Sequence, residues 1–509
     1  MSHTTRPPSG ADLDDNQTLI DLGITPVLNR RMTPFGNFAI SFSVISVLSG
    51  CMTLYGFGMN TGGPAVMLWG WTLVGAMVLF VGAGLAEVTS AYPTSGALFD
   101  MAQRLGGPRW GWYTGFLNLL GLLGAIAGID FGAALFCGAF ANLQWGFAPT
   151  PGKTMLIYLG ILLLHAALNL FGVRLVSLLN TVSVWWHVGG VALIVGALTV
   201  VPAHHQSTHF VFTHFANGTG WSSHWYVVAL GLLLAQYTFC GYDASAHLSE
   251  ETEKAQTSAP KGIIQAILWS WVAGFVLLAG LTYAIHDYAG TLSTPTGVPP
   301  AQIFLDALGS SGARLLMLVV IVAQLFCGNA AVAACSRMVF AFSRSGALPY
   351  SHHWRQVSRR NGTPNRAVWL SVAVAALLAL PALYSTVAYG AVTAINVIGI
   401  TPAYAIPIYL RLRAGDHFAR GPWHLGRASR LVGWIAVGWV LIVTGLFCLP
   451  QTRPETGWVS VATFNYAPAA LAAVLILARI CWWMRHRDGS DTFTGASETD
   501  MSEYTEEMV

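Results

Sequence analysis

Charge is scarce in this sequence. Asp, Glu, Lys and Arg make up 9% of its 509 residues, against about 25% in ordinary soluble domains. A water-soluble fold of this length would need far more charge to cover its surface. Disorder needs low hydrophobicity with high charge, whereas 54% of this chain is apolar. Paired cysteines are missing too. The seven present (Cys51, Cys137, Cys240, Cys327, Cys335, Cys448 and Cys481) all lie in apolar stretches without a CxxC pair, which argues against a disulfide framework and a zinc site. No Walker A loop, GxSxG or HExxH is present, and Gly82-Ala83-Gly84 lacks the rest of a dinucleotide fingerprint. The chain is read as no enzyme, with no cofactor and no metal, and as unable to drive transport with ATP alone. Its polar first residues carry no apolar h-region, so no cleaved signal peptide is expected.

What the sequence does have is long apolar runs. A membrane span takes about 20 mostly apolar residues, and that rule predicts an all-α membrane protein with twelve helices. They are placed at 35–58, 64–88, 110–141, 153–171, 177–201, 225–247, 262–286, 313–343, 366–384, 387–411, 430–450 and 465–484. Of the 25 basic residues, only Lys153, Arg314 and Arg453 fall on one side, so the positive-inside bias puts both termini in the cytoplasm. The chain divides into a tail at 1–34, five helices at 35–201, an outer loop and five more at 202–411, two helices at 412–485, and a tail at 486–509. Four acids (Asp12, Asp14, Asp15 and Asp21) sit in the first tail and seven follow the last helix. Both tails read as solvated and disordered.

Two of the twelve spans carry small and polar residues near their middles. In the first, Ser49-Gly50-Cys51-Met52-Thr53 lies about fifteen residues in, and Ser46 and Thr53 belong to the same polar stretch. In the sixth, Phe239-Cys240-Gly241-Tyr242 lies equally deep from the opposite side. Breaks at matching depth, five helices apart, are what a 5+5 inverted repeat predicts. Unwound backbone offers N–H groups to anions and carbonyls to cations, a fit for a zwitterion. The competing reading is close packing between helices. Tyr237 and Phe239 flank the second break, and Asn329 and Asn396 are further polar candidates for a pocket wall.

Ionisable groups inside spans are functional hypotheses by default. Asp243 follows the sixth-span break and is a candidate proton or cation site, or a carboxylate satisfied by its neighbours. His187, halfway along the fifth span, is either a proton shuttle or a packing histidine. Asp130 either faces an outer vestibule and attracts an amine, or serves as a structural partner. His165 and His247 are read as packing residues, and residues 90–107 as a structural hinge.

Four stretches resemble the amino acid–polyamine–organocation superfamily of secondary transporters, and within it the amino acid/choline transporter branch. They are 42–71, 86–102, 239–263 (FCGYDASAHLSEETEKAQTSAPKGI) and 336–349 (SRMVFAFSRSGALP), and the likeness extends over about residues 30–485. The resemblance implies a LeuT-type fold of ten core helices plus two, with substrate between helices 1, 3, 6, 8 and 10. It also implies that the backbone amides of Ser49 and Gly50, beside Cys51, hold a substrate carboxylate. Tyr237 or Phe239 would be the aromatic gate and Asp243 a proton-coupling acid. His187 falls where some proton-coupled relatives carry a lysine. The expected function is gradient-driven import of an amino acid or GABA-like amine across the plasma membrane, with a proton as coupling ion. Its partners are then a small-molecule substrate and the lipid bilayer, and no nucleic acid. A choline or polyamine transporter would instead lean on Asp130, Asp243 and aromatic faces. A non-transporting sensor is the third reading, for which both tails are short.

Overall fold

A computed structural model describes residues 10–359, 361–384, 388–454 and 464–487. In chain order the helices are α1 (Gly10–Asp21), α2 (Pro34–Ile45), α3 (Val47–Thr53), α4 (Tyr55–Asn60), α5 (Gly63–Ala91), α6 (Leu98–Gly106) and α7 (Pro108–Trp145). There follow α8 (Pro151–Leu170), α9 (Val173–Val200), α10 (Thr208–Thr213), α11 (His224–Gly231), α12 (Leu233–Thr238), α13 (Ala244–His247) and α14 (Ala255–Tyr283). The rest are α15 (Tyr288–Leu292), α16 (Pro299–Arg344), α17 (Ser351–Trp354), α18 (Asn365–Ala379), α19 (Ala388–Ala414), α20 (Ser429–Phe447) and α21 (Ala467–Arg487). The fold is all-α. Among the described residues, eleven helical segments are long and apolar enough to cross a membrane. The sixth expected span is not one of them, because it is broken into α11, α12 and α13.

Proline and short hydroxyl residues set the helix starts. Pro34 and Pro151 open α2 and α8, where a missing N–H costs nothing, and Thr33 and Thr150 cap them by accepting the N–H groups of Gly36 (3.1 Å) and Lys153 (3.4 Å). Gly107, at φ +90°, turns the chain directly into Pro108 of α7. The longest helices, α7 and α16, pack against each other and, with α19, form the frame around the interrupted segments. Gly309 (φ +67°) kinks α16 ahead of the expected span at 313–343.

Two expectations change. The first tail is not wholly solvated: α1 carries Asp15, whose buried carboxylate accepts the N–H groups of Lys254 (2.7 Å) and Ala255 (3.2 Å) at the start of α14. Arg30 closes on the same carboxylate at 3.1 Å. An acid from a distant segment thus caps a helix start, which composition cannot reveal. The second tail lies outside the described residues except for the end of α21. The stretch 90–107 holds a strongly amphipathic helix, α6, with Leu98, Phe99, Met101 and Ala102 buried.

The arginine-rich face is held by buried ion pairs. Arg337 grips Glu251 with two hydrogen bonds (2.7 and 3.2 Å), Arg344 grips Glu250 (2.8 and 3.1 Å), and Arg411 reaches Glu87 (2.9 Å). These pairs tie the segment after α13 to the end of α16, and the end of α5 to that of α19. Burial alone would raise the Glu250 carboxyl, but the Arg344 charge and hydrogen bonds, with the Ser95 N–H, hold it below the usual range. Its stabilising contribution is therefore complete above the unfolded value of about 4.3 and is lost as pH falls through the lower folded value. We predict that melting temperature in detergent falls on acidification through that window. Glu250→Gln, which removes Arg344's counter-charge, should lose about 3–5 kcal/mol at neutral pH and show a flatter acid limb. An unchanged acid limb in the variant would assign the acid sensitivity to another group.

Candidate functional site

The first span breaks at Ser46, three residues before the expected Ser49. Ser46 ends α2 and starts α3 in a left-handed conformation (φ 32°, ψ 88°), which is costly for a residue with a Cβ. It is held there from both sides. The Ser46 carbonyl accepts the N–H groups of Ser49 and Gly50 (both 2.9 Å), and its hydroxyl accepts the Ser49 N–H at 3.1 Å. The same hydroxyl meets His187 Nε2 at 2.6 Å. His187 Nδ1 lies 2.8 Å from the Ser183 carbonyl, which can only accept, so Nδ1 carries hydrogen and Nε2 of the neutral ring accepts from Ser46. The amides expected to take a substrate carboxylate are thus engaged by Ser46, and a carboxylate here must compete with that residue.

The sixth span breaks where expected, over 239–243. Gly241 has φ +97°, and a Cβ there would run into Val44. Its N–H donates to the Tyr404 hydroxyl (3.1 Å), which itself donates to Asp243 Oδ1 (2.7 Å). Asp243 Oδ2 lies 3.2 Å from His247 Nε2. His247 Nδ1 faces the Ser95 carbonyl at 3.1 Å, and Asn118 Nδ2 approaches Nε2 at 3.1 Å. With Nδ1 donating to Ser95, a hydrogen bond between Nε2 and Oδ2 needs a further proton, on either the carboxyl or the ring. His247, read from sequence as packing, is therefore the partner of Asp243.

Between the breaks lies a cavity of about 20 Å³, lined by Ser49, Gly50, Tyr237, Cys240, Cys327 and Asn396, among others. That is room for little more than a water, so a larger occupant requires the helices to part. A second cavity of about 390 Å³ lies beyond Thr53 and Tyr389. Gly128 and Gly132, one turn apart on α7, leave space for two tyrosines: a Cβ on them would stand 2.8 Å from Tyr237 Oη and 3.0 Å from Tyr389 Oη. Tyr237 walls the inner cavity and Tyr389 the outer, so this pair forms the layer between them. Among the described residues, no Asp, Glu, Lys or Arg lines either cavity.

The remaining candidates divide. Thr53 lines the outer cavity, and its hydroxyl donates to the Ser49 carbonyl. Cys51 is buried outside both linings. Phe239 turns away to stack near Trp71 (centroids 4.5 Å apart), leaving Tyr237 as the aromatic at the cavity. Asn396 lines the inner cavity and donates to the Gly121 carbonyl (2.8 Å). Asn329 lies outside the linings and accepts from Asn169 through its side chain (2.9 Å). Asp130 lines neither cavity; it is fully buried and faces His165 Nδ1 at 3.0 Å. Sequence reasoning missed Thr238, Tyr389 and Tyr404. Aromatics are 12% of the chain, and only the fold singles out these two tyrosines.

Residues 33–476 match the family model described as amino acid permease. The chain is 39% identical to the amino-acid permease BAT1 of Arabidopsis thaliana, over 92% of this chain and 94% of that one. It is 29% identical to the GABA-specific permease of Saccharomyces cerevisiae, over 92% and 84%. It is also 28% identical to amino-acid permease 2 of Neurospora crassa, over 97% and 92%.

Gly241→Ala should cost about 1–3 kcal/mol in backbone strain and push Val44 out of place. Gly196→Ala, where a Cβ meets nothing within 4 Å, serves as control. We expect the first variant to lose substrate binding beyond its loss in melting temperature and the second to behave as wild type. Equal binding by both would remove the second break from the site.

Proposed function

The chain belongs to the amino acid permease family, and on that premise we propose that it imports an amino acid, GABA or a close analogue, across the plasma membrane by proton symport. The binding site is the inner cavity between the two breaks, and both termini are cytoplasmic. The observation that carries this reading is Ser46, which joins the helix break to an ionisable ring. With His187 neutral, the Ser46 hydroxyl is spent on Nε2. With His187 protonated, Nε2 donates to Ser46 instead, and the hydroxyl is released to donate to a substrate carboxylate. Proton and carboxylate are then bound cooperatively through one oxygen, and by linkage each raises affinity for the other.

Asp243 and His247 supply a second place below the other break where a proton can reside, connected through Tyr404 to Gly241. The neutral wall of the inner cavity favours a zwitterion over choline or a polyamine, because among the described residues no carboxylate lines it to neutralise a lone cation. Tyr237 and Tyr389 are the groups that must part for entry from the outer cavity.

The test is uptake into proteoliposomes of labelled GABA, neutral, acidic and basic amino acids, choline and putrescine, with and without an inward proton gradient. We expect accumulation of an amino acid that rises as outside pH falls. His187→Gln should accumulate less under the gradient yet retain counterflow. Uptake restricted to choline or putrescine, or binding without uptake, would overturn the reading. Undiminished gradient response in His187→Gln would remove that residue from coupling.

A further inference from the structure

A third buried titratable group lies apart from both breaks. Asp130 of α7 and His165 of α8 face each other at 3.0 Å (Oδ2 to Nδ1), and neither side chain has measurable exposure. The outward atoms of this pair, Asp130 Oδ1 and His165 Nε2, have no hydrogen-bond partner among the described residues. Two neighbours are in the same condition. Asn169 donates to the Asn329 side chain (2.9 Å) and backbone carbonyl (3.2 Å), which leaves Asn169 Oδ1 and Asn329 Nδ2 unpartnered. Four buried polar atoms without partners are expensive inside a bilayer, and a purely structural pair would not be expected to leave them so.

The position of the pair relates it to the cavity. Ile129 and Cys327 line the inner cavity, and Asp130 and Gly328 are the next residues along α7 and α16. A Cβ on Gly328 would strike Asp130 Oδ1 and the His165 ring, so the missing side chain lets the pair sit directly behind the cavity wall. Among the described residues, Tyr158 of α8, Tyr237 of α12 and Cys327 of α16 are titratable groups within electrostatic reach of Asp130. The last two also line the cavity.

We propose that Asp130 and His165 form a proton-binding site, distinct from His187 and Asp243, whose loading is coupled to occupancy of the inner cavity. When the one proton in the 3.0 Å contact is the Nδ1–H of a neutral ring donated to the ionised carboxylate, the pair carries a single negative charge that one further proton would neutralise. Oδ1 and Nε2 are the free positions at which a further proton attaches, and that proton is drawn from bulk water without any bond breaking elsewhere. The inference rests on the transporter reading and extends it: proton uptake on substrate binding has a component that belongs to this pair.

Protons taken up per substrate bound can be counted on the full-length protein in detergent. The measurement is calorimetry in buffers of different ionisation enthalpy, with the amino acid identified by the uptake panel. Asp130→Asn and His165→Gln both keep a hydrogen-bonding group in place while removing the shared titration. We expect each to bind substrate with a reduced proton count. Each should also flatten the pH dependence of affinity, by roughly tenfold over the titration, within the usual range of coupling between two sites. A lowered melting temperature with an unchanged proton count in both variants would make the pair structural and overturn the proposal. Zero uptake by wild type would instead defeat the proton-symport reading itself, so the two failures are separable. Where Asp130→Asn does not fold, His165→Gln carries the same test.

Discussion

A helix that stops inside a bilayer must find new partners for every backbone group it releases, because lipid offers none. The rest of this structure depends on that constraint. At the first break, Ser46 serves as its own cap through both its carbonyl and its hydroxyl. At the second, Tyr404 takes the Gly241 N–H, Ser41 donates to the Tyr242 carbonyl (2.6 Å), and Asn37 donates to the Ser245 carbonyl (2.9 Å). Ser245 returns the contact by donating to the Asn37 carbonyl (2.8 Å). The two interrupted segments therefore satisfy each other, and α2 is fastened along α13 by polar bonds where lipid-facing helices would rely on packing alone.

This arrangement explains why the groups that repair the backbone are also the groups proposed to act. A side chain close enough to replace a lost helical hydrogen bond is also close enough to be displaced by a ligand bearing the same chemistry. Ser46 and His187 stand in that relation to a carboxylate, and Tyr404 and Asp243 in a similar relation to a proton. The inner cavity is closed around these repairs. Opening it means exchanging intramolecular bonds for bonds to substrate, so binding and conformational change are one process. The ion pairs after α13 and at the ends of α16 and α19 fasten the arginine-rich face beside the second break.

The helices were legible because apolar runs of membrane length need no tertiary knowledge. The second break was legible because Cys-Gly in mid-span has few uses other than a turn or a close approach, and Gly241 makes both. The first break was misplaced by three residues. Gly50 is small because α3 crosses Thr238 closely; the strained position is a serine stabilised by a histidine 141 residues away. Pairings across the chain were out of reach for the same reason. His165 with Asp130, His247 with Asp243, and Asp15 with the start of α14 join residues whose spacing carries no period. Residues 90–107 read as a structural hinge from sequence, and a search for runs of membrane length does not reveal the short amphipathic helix α6 within them.

The central claim is that the two breaks together form the substrate site. Amide hydrogen exchange of the purified protein, with and without a saturating transported amino acid, addresses it directly. The account predicts added protection concentrated in residues 46–51 and 239–243, with the helices facing lipid unchanged. Protection confined to the outer cavity around Tyr389 and Asn465, with both breaks unaffected, would contradict it.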